Sequence, residues 1–279
     1  MDNQAIEQDG TWDATLSAPL LPLTGASLVT VRLPAGLAQG VVSGRYFLAR
    51  CGAQTAEERA QNWQIYLRRP LFIASQRQSK REDQPADTDE TWALLLPASP
   101  DPGYRWLAGQ SIGATVNLLG PLGQGFTLAP HTRHLLLLAT AARAATLLAL
   151  IDPILDKGGH VTLVLYTEKT EDNPLLPLLP IPVEVRLATN EQQWQKHLTE
   201  TMQWADQLCA AIPAAMFPML ADLIKRKRFR LETGFAQVLV EADLICGVGA
   251  SLACVIPLAS GGYTRACVHG PVFDLVHLV

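Results

Sequence analysis

Three of the five cysteines, Cys246, Cys254 and Cys267, crowd into the last segment of the chain, while Cys51 and Cys209 stand alone. Cys246 and Cys254 bracket a Gly-Val-Gly-Ala-Ser-Leu-Ala stretch, and Cys267 follows after a twelve-residue gap. Thiolates are soft anionic ligands, suited to iron–sulfur clusters and to zinc. A two-iron cluster needs two ligands on each iron, and plant-type loops supply them as C-x4-C-x2-C with a distant fourth cysteine. Here Ser251 holds the second position and the other three cysteines keep the spacing. Gly247 and Gly249 would let backbone N–H groups approach the sulfurs. A serine oxygen can ligate iron, so Cys246, Ser251, Cys254 and Cys267 form one candidate metal set. His269, two residues beyond Cys267, could instead complete a Cys3His zinc site. Three buried thiols on a loop without metal are the third reading.

Two kinds of element must position this loop. Residues 20–130 read as short strands at Leu28–Leu33, Arg45–Cys51, Leu71–Ala74, Trp92–Leu96 and Thr115–Leu119. They are punctuated by Gly36, Gly40, Gly44, Gly109 and Gly113, a spacing that suggests a barrel. The polar stretch Gln76–Glu90 reads as an exposed loop. From residue 134 the pattern becomes strand, helix, strand, helix. Leu135–Leu138 leads into a helix through about Lys157, followed by a strand at His160–Tyr166 and, beyond the loop Glu168–Pro182, a strand at Val183–Ala188. A helix at Glu191–Trp204, a short strand at Gln207–Ala211, a helix at Ala214–Lys227 and a strand at Ala236–Val240 complete the series. This alternation implies a parallel sheet with helices on its faces. The expected organisation is a flexible N-terminus over 1–20, a barrel over 21–130, an α/β domain over 131–233 and a cysteine-bearing segment over 234–279.

Bulk properties narrow the partners. At 279 residues with 48% hydrophobic content, the chain can bury two modest cores. A formal net charge of -4 gives no electrostatic reason to expect nucleic acid or an anionic membrane. The polar, acidic start is unlike a signal peptide, and an odd cysteine count does not suggest a secreted disulfide framework, so a cytoplasmic protein is expected. The apolar run Leu135–Ile151 is short for a bilayer and carries Arg143, which favours a buried strand turning into a helix. The basic run Lys225-Arg226-Lys227-Arg228, with Arg230, suits the end of a helix, where cations meet the negative end of its dipole.

Leu239-Val-Glu241 leading into Cys246-Gly-Val-Gly-Ala, with Arg265-Ala-Cys267-Val-His-Gly270-Pro271-Val272-Phe273, resembles the signature of dihydroorotate dehydrogenase electron-transfer subunits. Relatives show a cysteine where Ser251 stands. Gly120-Pro121-Leu122-Gly123-Gln124-Gly125-Phe126 resembles the sequence that closes the flavin barrel of the same family. Leu67-Arg68-Arg69-Pro70-Leu71-Phe72-Ile73 resembles its Arg-Pro-x-Ser flavin strand, with Phe72 in place of the serine, and Gly103-Tyr-Arg105 partly matches a Gly-Thr turn near the flavin diphosphate.

The resemblance implies a ferredoxin-reductase-like architecture, a β-barrel plus an α/β lobe with a C-terminal [2Fe–2S]-type loop. It implies FAD bound through Arg69, Pro70, Leu71, Phe72, Gly103, Gly123 and Gly125, with Arg69 on the pyrophosphate by forked hydrogen bonds. The implied activity is electron transfer between an FMN-containing dihydroorotate dehydrogenase catalytic subunit, or another redox protein, and an acceptor. Relatives also carry glycines between the first strand and helix of the α/β lobe, where a nicotinamide dinucleotide approaches. Here that stretch is Ala139-Thr140-Ala141-Ala142-Arg143, and a later Cys-Gly-Pro turn is replaced by Cys209-Ala210-Ala211. NAD is therefore not expected to bind. The alternatives are a non-catalytic relative that keeps the fold as a binding or regulatory partner, and a NAD(P)H-dependent flavin reductase acting alone.

Overall fold

The computed structural model describes residues 10–37, 42–52, 55, 57, 60–78, 89–168 and 170–279. Gly40, residues 1–9 and most of the expected Gln76–Glu90 loop lie outside these.

Seven strands precede residue 123: β1 (Thr11–Leu16), β2 (Leu21–Leu23), β3 (Ala26–Pro34), β4 (Tyr46–Ala49), β5 (Arg69–Gln78), β6 (Asp89–Pro97) and β7 (Thr115–Leu122). They pair antiparallel in the order β1-β7-β4-β5-β6-β3-β2, and β1 also pairs with β3, which closes a six-stranded barrel with β2 appended. Alternating residues fill it. Phe47 meets Trp92 edge-to-face at 5.5 Å between ring centroids, and Val31, Leu71, Ile73 and Leu94 are buried around them. The barrel begins earlier than the sequence suggested. Trp12 of β1 donates its indole N–H to the Gly120 carbonyl at 2.8 Å, so the expected flexible stretch up to residue 20 is part of the barrel wall from Thr11 onward. A short helix, α1 (Pro102–Ala108), packs between β6 and β7. Gly103-Tyr-Arg105, which partly matches a Gly-Thr turn of relatives, lies within this helix. Here proline occupies the first helical turn, where its missing N–H costs nothing.

The second sheet runs β10-β9-β8-β11-β12-β15, comprising β8 (His134–Thr140), β9 (His160–Tyr166), β10 (Glu184–Ala188), β11 (Gln207–Ala211), β12 (Ala236–Leu239) and β15 (Val272–Asp274). The first five are parallel and β15 adds an antiparallel edge. Near-continuous apolar strands are what such a sheet demands, because both faces are covered. Ala145, Leu147 and Ile154 cover one face, and Trp194, Leu198, Leu220 and Ile224 the other. The expected long helix after β8 is instead a 3-10 segment, Ala144–Leu150, followed by the five-residue α2 (Ile151–Leu155), where Pro153 cannot continue the hydrogen-bond ladder. Among the described residues no helix is long and apolar enough to cross a membrane. At the basic run, Arg228 does more than meet solvent. It donates to the Ala205 carbonyl at 2.9 Å and lies over the Phe235 ring at 4.1 Å.

The C-terminal segment is shared rather than separate. β12 and β15 belong to the α/β sheet, while the cysteine loop between them packs on the barrel through Tyr46, Leu48, Leu119 and Leu122.

Candidate functional site

The loop after β12 descends from Glu241 to Cys246 and wraps around the sulfurs. Gly247 and Gly249 both sit at positive φ, +71° and +76°. A Cβ on Gly247 would stand 2.6 Å from a Leu122 methyl, so close approach to the barrel as well as conformation requires glycine there. The turn directs N–H groups inward. Burial alone would raise the Cys246 thiol. The Ser251 hydroxyl and the N–H groups of Ser251, Val248 and Ala250 outweigh that and bring it down to about 6. The Ser251 hydroxyl lies 3.4 Å from Cys246 Sγ. Cys254 and Cys267, both 1% exposed, form a second pair in which burial first, and the neighbouring Cys254 second, push the Cys267 thiol up. Short strands β13 (Val255–Pro257) and β14 (Tyr263–Arg265) bring the last two cysteines together, since Val255 pairs with Arg265 and the Ala266 N–H reaches the Cys254 carbonyl at 2.9 Å.

The four positions therefore fall into two pairs, Cys246 with Ser251 and Cys254 with Cys267. Among the described residues no group of three His, Cys, Asp or Glu side chains converges as a single ion would need. Two ligand pairs are the arrangement of a two-iron cluster, and the donors present fit that group. The Cys3His zinc alternative does not hold. His269 lines a cavity of about 450 Å3 with Phe273, Val276 and His277, which no cysteine lines. The short helix Ala266–His269 carries Cys267 and His269 two residues apart, too few for a full helical turn, so the two do not share a face.

The residues expected to meet a flavin are placed less uniformly. Arg69 opens β5 and forms a forked ion pair with Asp101, Nε to Oδ1 at 2.8 Å and Nη2 to Oδ2 at 3.0 Å. Asp101 caps α1 as well, accepting from the Gly103 and Tyr104 N–H groups at 2.8 and 3.1 Å. The Tyr104 hydroxyl donates to the Pro70 carbonyl at 3.1 Å, which ties α1 to the strand. Leu71 points into the barrel core, 2% exposed. Phe72, where relatives have a serine, lies against Tyr46 with ring centroids 5.9 Å apart and planes tilted by 57°. Gly123 and Gly125 face protein. A Cβ on Gly123 would meet Pro271 at 2.7 Å and the Gly270 carbonyl at 2.8 Å, and one on Gly125 would meet the Ser43 carbonyl. These two glycines join the barrel to the C-terminal segment, where Gln124 bridges to Pro271.

The sequence reading missed Arg45. Its guanidinium donates through Nη2 to the Pro121 carbonyl at 2.9 Å, and its buried Nε has no acceptor among the described residues. Burial depresses its pKa. An unanswered buried donor beside the Gly120–Phe126 turn is the kind of group a polar ligand edge would satisfy. Arg69 and Gly103, expected near a flavin diphosphate, are both engaged by the Asp101 carboxylate, and the Arg69 guanidinium carries the charge a diphosphate would need.

The stretch Ala139–Arg143, which stands where relatives carry glycines, lies at the end of β8. Strand order reverses between β8 and β11, where open α/β sheets bind ligands at the carboxyl ends of their strands. Arg143, at the end of the β8 turn, forms a forked pair with Glu241 at 2.5 Å on both arms and reaches the Thr140 hydroxyl at 3.1 Å. The Arg143 side chain is only 23% exposed. Cys209, Ala210 and Ala211 are wholly buried in β11. A further cavity, of about 430 Å3, lies between the lobes and is lined by Leu28, Arg77, Ala149 and Asp152, none of them expected to meet a cofactor.

Comparison with known proteins agrees with this layout. Residues 241–279 match the family described as the iron–sulfur cluster binding domain of dihydroorotate dehydrogenase B. The chain is 29% identical over 230 residues to the dihydroorotate dehydrogenase B (NAD(+)) electron transfer subunit of Shouchella clausii, covering 77% of this chain and 81% of that one. The corresponding subunit of a Geobacillus species is 28% identical over 223 residues, covering 76% and 80%. Among solved structures, an NADH-dependent reduced ferredoxin-NADP oxidoreductase superposes with a TM-score of 0.71 at 16% identity, covering 100% of this chain and 91% of that one. A ferredoxin reductase of carbazole 1,9a-dioxygenase gives 0.56 at 18%, covering 78% and 65%. With its barrel, its α/β sheet and its cysteine loop in that order, this chain is similar to dihydroorotate dehydrogenase electron-transfer subunits over most of its length, and its last segment matches the iron–sulfur cluster binding domain of dihydroorotate dehydrogenase B.

Proposed function

We propose that this chain is an electron-transfer subunit that passes electrons between a redox partner and an acceptor other than NAD. Its centres would be a [2Fe–2S] cluster on Cys246, Ser251, Cys254 and Cys267 and an FAD held against the barrel. The observation that carries this reading is the division of the four loop positions into two ligand pairs under inward-facing N–H groups. When bound, the cluster supplies one-electron storage and the flavin couples one- and two-electron steps. The chain's own residues do the positioning. Gly247 and Gly249 hold N–H donors on the sulfurs, which stabilises negative charge there. Tyr46 and Phe72 lie in one apolar cluster with the cysteines, so a flavin on the barrel and a cluster in the loop would share a wall. Val248, Leu252 and Tyr263, 67%, 60% and 76% exposed, surround the loop and suit it to meet a protein partner such as an FMN-containing dihydroorotate dehydrogenase catalytic subunit or another redox protein.

The test is anaerobic reduction of the isolated chain with dithionite, followed by mixing with oxidised cytochrome c as a one-electron acceptor. The expected result is bleaching of a visible chromophore on reduction and its return with matching cytochrome reduction, with the iron–sulfur part of the chromophore lost in Cys254→Ala and the flavin part kept. A chain with no chromophore that transfers no electrons would instead support the binding-partner reading, which the self-satisfied Arg69 and Arg143 favour.

A further inference from the structure

This inference rests on the reading of the cysteine loop as an iron–sulfur site and concerns the barrel residue that lies against it. We propose that Tyr46 is a positioning residue for that site, its hydroxyl holding the Cys267 turn on the barrel and setting how readily the bound cluster accepts an electron.

Tyr46 is placed by the strands on either side of it. β4 pairs Tyr46 with Phe72 of β5 and with Leu122 of β7. Its ring packs on Phe72, and a Cβ on Gly123 would come within 2.9 Å of Tyr46 Cε1, so the glycine leaves room for the ring. The residue is fully buried and shares one cluster with Leu244, Cys254, Ala266 and Cys267. A phenol hydroxyl in such a place needs an acceptor. Among the described residues that acceptor is the Cys267 carbonyl, at 3.4 Å.

The carbonyl in turn needs a donor. In the helix Ala266–His269 the residue four beyond Cys267 is Pro271, which has no N–H. The Gly270 N–H goes to the Ala266 carbonyl instead, at 3.1 Å. The Cys267 carbonyl is therefore left to the barrel, and Tyr46 answers it across 221 positions of chain. At 3.4 Å the bond is long for an O–H donor, so the hydroxyl acts chiefly as a dipole beside the two buried cysteines. In a dry, low-dielectric interior a donor dipole next to thiolates favours added negative charge. Hydrogen bonding around the sulfurs is one of the levers that set the potential of an iron–sulfur cluster. A phenylalanine at this position would keep the packing on Phe72 and lose the dipole.

The experiment is an anaerobic redox titration of the full-length chain and of Tyr46→Phe. It is followed by electron paramagnetic resonance, which reads the cluster apart from a flavin, with iron and sulfide measured on the same samples. The proposal expects both proteins to carry the cluster. Reduction of Tyr46→Phe should be roughly three- to ten-fold less favourable, a midpoint lower by about 30–60 mV for a one-electron step. Equal midpoints, or a higher one in Tyr46→Phe, overturn the proposal and leave the cluster reading standing. Leu119→Val changes packing in the same cluster without removing a donor, so its midpoint should match the parent's. An equal fall there overturns the proposal, because packing alone would then account for it. If Tyr46→Phe does not fold by circular dichroism, or takes up no iron where the parent does, a ring-fluorinated tyrosine in place of Tyr46 alone is the second variant. It is a stronger donor of nearly the same shape and is held to a higher midpoint, and no rise overturns the proposal. A parent chain without iron and sulfide after anaerobic reconstitution sinks the cluster reading and this inference with it.

Discussion

Arg143 and Glu241 meet across the mouth of the α/β sheet in a forked ion pair, one residue from the turn after β8 and the other from the chain leaving β12 for the cysteine loop. The pair lies where the strand order reverses, the place at which open α/β sheets bind ligands. Equilibrium dialysis with NAD or NADH should show no saturable binding up to roughly millimolar ligand, the weak end of the affinity scale. A dissociation constant in the micromolar range would contradict this. Because Glu241 is 57% exposed, the pair itself is worth little, and a double-mutant cycle of Arg143→Ala with Glu241→Ala should return a coupling of about 1 kcal/mol or less.

The Arg69–Asp101 pair predicts a pH dependence. The Arg69 guanidinium holds the Asp101 carboxyl below its ordinary value of 3.8. An acid depressed in the folded chain contributes stability above its unfolded pKa and loses that contribution as pH falls through the folded value. Urea unfolding should therefore find Asp101→Asn less stable than the parent near neutral pH, by about 1 kcal/mol after allowance for solvent screening. The two should converge as pH falls through the folded value and the parent's carboxylate protonates. A gap that stays constant with pH would contradict the ionic origin.

Gly123 sits at φ +78° with its missing Cβ aimed at Pro271, the Gly270 carbonyl and the Tyr46 ring. Gly123→Ala should destabilise the chain by about 1–3 kcal/mol, read as a lower urea midpoint. The separation of barrel from C-terminal segment should also expose the cysteines to thiol reagents sooner. A variant as stable as the parent would remove the argument that this glycine is required for close approach.

Ser251 both bonds to Cys246 and offers the fourth ligand. Ser251→Ala should lose iron to a chelator about ten-fold more readily than the parent, a typical cost of disturbing a metal's immediate surroundings. Ser251→Cys should retain iron better and reduce at a higher potential, because a thiolate is a softer donor than an oxygen. Equal iron retention in all three would exclude Ser251 from the site.

Much of the scaffold was legible from sequence, and the reasons are physical. β9 (His160–Tyr166) and β11 (Gln207–Ala211) stand at the bounds expected for them, because fully buried strands write continuous apolar runs between turn residues. β1 was lost because Thr11–Leu16 follows a polar stretch and is too short for its alternation to stand out. The cysteine spacing was legible since the ligands sit on one loop. The ion pairs were not. Asp101 lies 32 residues from Arg69 and Glu241 lies 98 from Arg143, separations that only the folded barrel and sheet close. The glycines at 123 and 125 stood out as a motif, but their contacts with Pro271 and Ser43 depend on a segment more than a hundred residues away or on a neighbouring strand entry.

The central claim is that the cysteine loop holds a two-iron cluster with one oxygen ligand. Iron and acid-labile sulfide analysis of the anaerobically isolated chain, with its visible spectrum, tests it most directly. The account predicts about two iron and two sulfide per chain, with a charge-transfer chromophore that disappears in Cys254→Ala. Stoichiometric zinc, or a colourless chain free of iron and sulfide even after anaerobic reconstitution, would contradict it.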